Sequence, residues 1–290
     1  MRTMHVYKHY DQAALDAQYN NRARARDFDG LVQGWAERSE AFREQRKGAL
    51  NVPYGSGERE TLDLFPASNA GAPLHVFFHG GYWQAMDKSL FHFVGEELHR
   101  RGVHVAFVNY PLMPKASMEA LVAACRSSVA WLSLEGSELL GETAGVYLTG
   151  HSAGGHLVGM LMATDWGAEE PKLAPPRILG GCSLSGLFDL DPIRLSYLNE
   201  ALGLDREIAR RNSPVLLNPV CTAPLLLVTG GLEPDEYQCQ SDELKAAWEQ
   251  RGIPIIRHTV PGADHFSVLE SLLDPGSPIL RAVLKPMGLS

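Results

Sequence analysis

Val146-Tyr147-Leu148-Thr149-Gly150-His151-Ser152-Ala153-Gly154-Gly155-His156-Leu157 is the stretch on which the fold turns. A short apolar run, Val146 to Thr149, passes at once into Gly-x-Ser-x-Gly and then into a helical run from Leu157 to Ala163. Glycines on both sides of the serine leave room for a turn tight enough to expose its hydroxyl at the junction of strand and helix. The bare pattern says little in a chain with 28 glycines; its position directly after a buried strand gives it meaning. The stretch therefore reads as a nucleophile elbow, with Ser152 as nucleophile and the N–H of Ala153 as one donor to a developing oxyanion.

Outward from the elbow the chain alternates strands with helices. The expected strands are Thr61 to Phe65, Leu74 to Phe78, Val103 to Val108, Val146 to Thr149, Ile178 to Leu184, Leu225 to Thr229 and Ile255 to Val260. Most are unbroken apolar runs, the pattern of strands covered on both faces. One intervening helix is expected to start at Asp87 and stop at Gly102. A second carries Met118, Leu121, Val122, Cys125, Val129 and Leu132 on its apolar face. A third runs through Leu244, Ala247 and Trp248 to Gly252. Such alternation predicts a mostly parallel central sheet flanked by helices, here an α/β-hydrolase fold in one catalytic domain over 51–290. Residues 1–50 form an extension of that domain; its polar stretch 11–47 is expected to hold two helices broken near Asp29-Gly30. These helices would either cap the pocket or pair subunits in a homodimer. Residues 185–219, broken by Pro192, Pro214 and Pro219, interrupt the alternation and read as a cap or insertion over the sheet's carboxyl edge.

Two further segments supply what a serine nucleophile needs. His79-Gly80-Gly81-Tyr82-Trp83 follows directly on a strand, and its glycines let backbone N–H groups approach a reacting oxygen. The oxyanion hole is therefore expected from Gly81 and Tyr82, with Gly80 as substitute, plus Ala153. Tyr82, Trp83 and His151 are expected beside the substrate. His265, after the last strand, occupies the chain position at which this fold keeps its general base. The acid that orients it should lie in the loop after the strand Leu225 to Thr229. Glu233 comes first there, with Asp235 as the alternative; Asp264, next to the histidine, is expected to point away.

The formal net charge of −8 offers no reason to bind nucleic acid or an anionic membrane, so a small-molecule substrate is the expected partner. Four scattered cysteines, with no CxxC pair, suggest reduced thiols and a cytoplasmic protein rather than a disulfide framework. Met1 to Asp11 carries His and Lys where a secretory signal would carry an apolar run, and no apolar run approaches the ~20 residues of a membrane span. No cofactor is implied.

His79-Gly80-Gly81-Tyr82-Trp83-Gln84 and Gly150-His151-Ser152-Ala153-Gly154-Gly155-His156-Leu157 resemble the kynurenine formamidase branch of the α/β-hydrolases, which is related to the hormone-sensitive-lipase-like esterases. The resemblance continues in Tyr54-Gly55, Leu62-Asp63-Leu64-Phe65, Ser185-Gly186-Leu187-Phe188-Asp189-Leu190 and Glu233-Pro234-Asp235-Glu236-Tyr237, and so covers about residues 50 to 270. It implies Ser152 as nucleophile and His265 as base. The family's acid, usually Asp, falls on Glu233, and Tyr82 stands where the related esterases carry a third glycine. The implied reaction is hydrolysis of N-formylkynurenine to formate and kynurenine. The alternatives are a short-chain carboxylesterase and a non-catalytic receptor on a hydrolase fold. A zinc hydrolase would need an HExxH or a comparable ligand cluster, and the sequence has neither. Hydrolysis is accordingly expected to persist in excess EDTA; loss on chelation with recovery on added zinc would reverse that expectation.

Overall fold

The computed structural model describes residues 5–69, 71–169 and 176–289, so residues 1–4 of the amino-terminal stretch lie outside the described residues. Eight strands form one sheet: β1 (Ala49–Pro53), β2 (Thr61–Phe65), β3 (Leu74–Phe78), β4 (His104–Val108), β5 (Val146–His151), β6 (Ile178–Leu184), β7 (Leu225–Gly230) and β8 (Ile255–Val260). Their order across the sheet is β1-β2-β4-β3-β5-β6-β7-β8. The β1–β2 and β2–β4 pairs are antiparallel and all others parallel, which is the mostly parallel α/β sheet that the alternation predicted.

Period-two alternation splits the apolar strands between two cores. Leu74, Val76, Ala106, Val108, Val146, Leu148, Leu225 and Leu227 pack on one face. Phe77, Val105, Phe107, Tyr147, Leu226 and Val228 pack on the other. On the first face lie the helices Met118–Leu134, Ala153–Met162 and Asp235–Glu249. The second face is covered by Phe28–Gln45 and Pro278–Leu284. Each fully buried Leu, Val or Phe contributes about 1.5–3 kcal/mol, so this two-sided burial is the main source of stability.

Three expectations need correction. The amino-terminal stretch holds not two helices but Gln12–Tyr19, Asn21–Arg24 and Phe28–Gln45, broken at Asn20 and at residues 25–27, where the Asp27 carboxylate accepts the N–H of Gly30 at 2.9 Å and starts the last helix, leaving Asp29 and Gly30 inside it. Asp87 does cap a helical segment, accepting the Ser89 N–H at 3.0 Å. The chain beyond it forms two 3₁₀ turns, Lys88–Leu90 and His92–Gly95, and becomes α-helical only over Glu96–Arg100. Strand β1 escaped notice altogether: it is an edge strand with no buried residue, so it lacks the apolar run that marked its neighbours. The 185–219 segment holds three short helices, Asp191–Leu195, Asn199–Leu202 and Arg206–Arg211, and a 3₁₀ turn at Pro214–Leu216.

Packing at the elbow leaves no room for a methyl group at Gly154, whose added Cβ would stand 1.9 Å from the Phe78 carbonyl oxygen of β3. Gly34, in the helix Phe28–Gln45, has nothing within 4 Å of the same position. Urea denaturation is expected to show Gly154→Ala destabilised by about 3 kcal/mol, whereas Gly34→Ala gains roughly 0.5–1 kcal/mol of helix propensity. Equal effects would mean that the strand and helix at the elbow are not in close contact.

Candidate active site

Ser152 follows the last residue of β5 and precedes the helix Ala153–Met162, with φ 57° and ψ −118°. Its own N–H donates to the Leu184 carbonyl of the neighbouring strand at 2.8 Å, which ties the turn to the sheet. Ala153 is the first residue of that helix, so its N–H has no intrahelical acceptor.

His265 lies in the turn after β8, and its Nδ1 is 2.6 Å from Oε1 of Glu233. The other carboxylate oxygen, Oε2, accepts from Ser185 Oγ at 2.7 Å and from the Gly230 N–H at 2.6 Å. Three donors on a buried carboxylate fix its orientation, and with it the histidine's. Asp235 is not part of this contact: it is exposed in the first turn of the helix Asp235–Glu249. Asp264 points into its own turn, its Oδ1 accepting from the N–H groups of Phe266 and Ser267 and from Ser267 Oγ.

The loop after β3 runs through three consecutive left-handed residues, Gly81 (φ 111°), Tyr82 (φ 48°) and Trp83 (φ 59°). A side chain at Gly81 would collide with the Ala85 carbonyl oxygen, 2.3 Å from the added Cβ, so only glycine fits. Among the described residues the N–H groups of Gly81 and Tyr82 find no protein acceptor. Arg59 holds the far end of this loop: its guanidinium donates to the carbonyls of Met86 and Tyr110, at 3.0 Å each, and to Asn109 Oδ1 at 3.1 Å.

Ser152, His265, Gly80, Gly81, Tyr82 and His151 line one cavity of about 300 Å³. His151 is held neutral, its pKa pushed down to about 3 by burial, and Nε2–H donates to the His265 carbonyl at 2.6 Å. Trp83, expected beside the substrate, is not among the lining residues. Its indole is fully buried, with Nε1 donating to His156 Nδ1 at 3.2 Å, because the left-handed turn sends Tyr82 toward the cavity and Trp83 into the core. Aromatic walls come instead from Phe28, Trp35, Phe91 and Phe266.

Sequence reading missed Ser185, Tyr237 and Asn21. Ser185 opens the segment read as a cap, and its contact with Glu233 needs the β6–β7 juxtaposition. The Tyr237 ring packs 4.8 Å from that of His265. Asn21 sits in a polar segment with no local signal at all. Among the described residues no group of three or more His, Cys, Asp or Glu is placed to hold a metal ion.

Comparison with known proteins identifies relatives of the chain. Residues 62–171 match the BD-FAE family model. The chain is 34% identical to the kynurenine formamidase of Salmo salar over 283 residues, 94% of each chain. A crystal structure of a Silicibacter sp. TM1040 protein proposed to be a thioesterase superposes with a TM-score of 0.83 at 30% identity, covering 93% of this chain and 98% of that one. Esterase B of Lactobacillus rhamnosis shares the fold at a TM-score of 0.70 and 20% identity, covering 90% of this chain and 97% of its own.

The contact between Glu233 and His265 predicts that Glu233→Gln lowers kcat by about 10³–10⁴-fold, since an amide neither balances an imidazolium nor favours the required tautomer. Asp235→Asn should stay within about twofold of wild type. Steady-state kinetics with the two effects interchanged would move the acid to Asp235.

Proposed function

We propose a specific reaction for this chain, which belongs to the kynurenine formamidase family of α/β-hydrolases: hydrolysis of an arylformamide of the N-formylkynurenine type, with Ser152 as nucleophile. The chain is a hydrolase acting on a formyl amide or ester. The observation that carries the finer reading is the buried Glu233–His265 contact on the cavity that also holds Ser152 and the unpaired N–H groups of Gly81 and Tyr82.

In this reading, Ser152 Oγ attacks the formyl carbon as His265 Nε2 takes its proton. Glu233, bonded to Nδ1, stabilises the imidazolium that results. The oxyanion is met by the N–H groups of Gly81, Tyr82 and Ala153, donors fixed before the substrate arrives and so requiring no reorganisation during the reaction. His265 then protonates the departing arylamine. Water, deprotonated by the same histidine, attacks the formyl-enzyme and releases formate, which restores Ser152.

The leaving group is the part that the walls favour. Phe28, Trp35, Phe91 and Phe266 offer faces and edges to a flat aromatic amine, a role first expected of Trp83. Two segments add to the wall that the loop after β3 begins: residues 21–35 of the extension, and Tyr197 and Leu198 of the 185–219 segment, which we read as a cap on a single domain. Among the described residues no helix is long and apolar enough to cross a membrane, and all four cysteines are free. A cytoplasmic location is part of this proposal.

A cavity of about 300 Å³ that must also hold an aromatic leaving group leaves little volume on the acyl side. Against p-nitrophenyl formate, acetate, butyrate and octanoate beside N-formylkynurenine, we expect formyl and acetyl to be preferred, with about a fourfold loss in kcat/KM for each methylene that cannot be buried. Ser152→Ala should be inactive on all of them, and a fluorophosphonate should label Ser152. Rates that rise with chain length, or turnover of short esters with none of the formamide, would replace the arylformamidase with a carboxylesterase.

A further inference from the structure

Two side chains on the amino-terminal wall of the cavity have no part in the reaction described above. Both come from the helical turn Asn21–Arg24. Arg22 carries the only permanent charge among the lining residues, and it is a cation in a chain whose 34 acidic residues outnumber its 26 lysines and arginines. Among the described residues its guanidinium meets no carboxylate; what it touches is the ring of Phe28, 4.5 Å from the centroid. That contact sets the position of the side chain while leaving its N–H donors unspent.

Asn21, its neighbour, is 4% exposed. Its Nδ2 donates to the hydroxyls of Tyr82 at 3.1 Å and Tyr237 at 2.6 Å, which anchors the amide to the oxyanion loop on one side and to the helix behind His265 on the other. Its Oδ1 is buried with no partner. Closed off in this way, the amide is a structural anchor: it ties the turn that carries Arg22 to the cavity's own loops.

We propose that Arg22, on the turn that Asn21 anchors, forms a subsite for a carboxylate at the far end of the leaving group. The inference rests on the arylformamidase reading and deepens it: a ring on the aromatic walls would be held at its far end by its anion. A plain aryl ester or formanilide offers none. The amino-terminal segment thus acts on specificity, and its residues touch none of the reacting atoms.

The test compares kcat/KM for N-formylkynurenine and for its carboxamide, which lacks the anion. Wild-type protein should prefer the parent over the carboxamide by about tenfold, a modest factor because Arg22 is exposed to solvent. Arg22→Gln should remove that preference through KM rather than kcat, and Arg22→Glu should reverse it. A preference for the acid that survives in Arg22→Gln, or wild-type rates equal on acid and carboxamide, would overturn the subsite. Absence of turnover on every formamide, with p-nitrophenyl acetate still cleaved, would overturn the arylformamidase reading and the subsite with it.

Discussion

Everything in the site depends on one backbone constraint, the left-handed conformation of Ser152 at the end of β5. A non-glycine residue there costs about 1–3 kcal/mol and persists only where its surroundings enforce it. Here they do so by a hydrogen bond from the Ser152 N–H to Leu184 of the adjacent strand and by the close approach of Gly154 to Phe78. The same manoeuvre recurs one strand over. Ser185 leaves β6 with φ 53° and donates its N–H to the Val228 carbonyl of β7 at 2.7 Å. Its hydroxyl then lands on Glu233. Two strained serines at the carboxyl edge of one parallel sheet thus place the turn of Ser152 and the anchor of Glu233 on a shared scaffold, and His265, entering from the next strand, meets Glu233 there.

Several histidines crowd this region, and their partners sort them. His79, His151 and His156 are pushed down to about 4, 3 and 4 by burial. The last two bond through Nε2 to backbone carbonyls, so they act as neutral donors that pin loops. His92 does face a carboxylate, with Nε2 2.9 Å from Asp63 Oδ2, in a buried cluster completed by Lys88. Among the described residues neither member of that pair lines the cavity that holds Ser152. Removing one partner of a buried cluster of this kind leaves an uncompensated charge, so its role reads as structural. His265 differs by having all three attributes at once: a buried carboxylate on Nδ1, a serine on the same cavity, and open space for a substrate.

The sheet was legible because strands covered on both faces write long apolar runs, and the turns that carry Ser152 and His265 were legible because their neighbours in sequence are also their neighbours in space. Where that coincidence fails, reading failed. Strand β1, an edge strand without a buried residue, left no apolar signature. Trp83 was placed beside the substrate on adjacency to Tyr82, but a chain in the left-handed region turns successive side chains far apart. The choice of Glu233 over Asp235 and Asp264 needed tertiary contacts, since one rival is spent at the exposed start of a helix and the other on its own turn. Asn21 lies more than a hundred residues from the elbow and became visible only as a buried amide against Tyr82 and Tyr237.

This division has a physical basis that bears on how substrate choice is built. Groups that perform acyl transfer must hold distances to within fractions of an ångström, so they sit on strand ends whose positions are set by the ladder of parallel hydrogen bonds. Groups that select the leaving group need only offer surface and a few polar atoms, and they can be carried by segments added to the sheet. In this molecule the helices before β1 and the short helices between β6 and β7 line the cavity, meeting where Tyr197 Oη lies 3.5 Å from the Tyr19 carbonyl. The two walls touch each other as well as the sheet. A change in either segment is therefore expected to reshape the cavity wall while the Glu233–His265 contact, held by the turns after β7 and β8, stays in place.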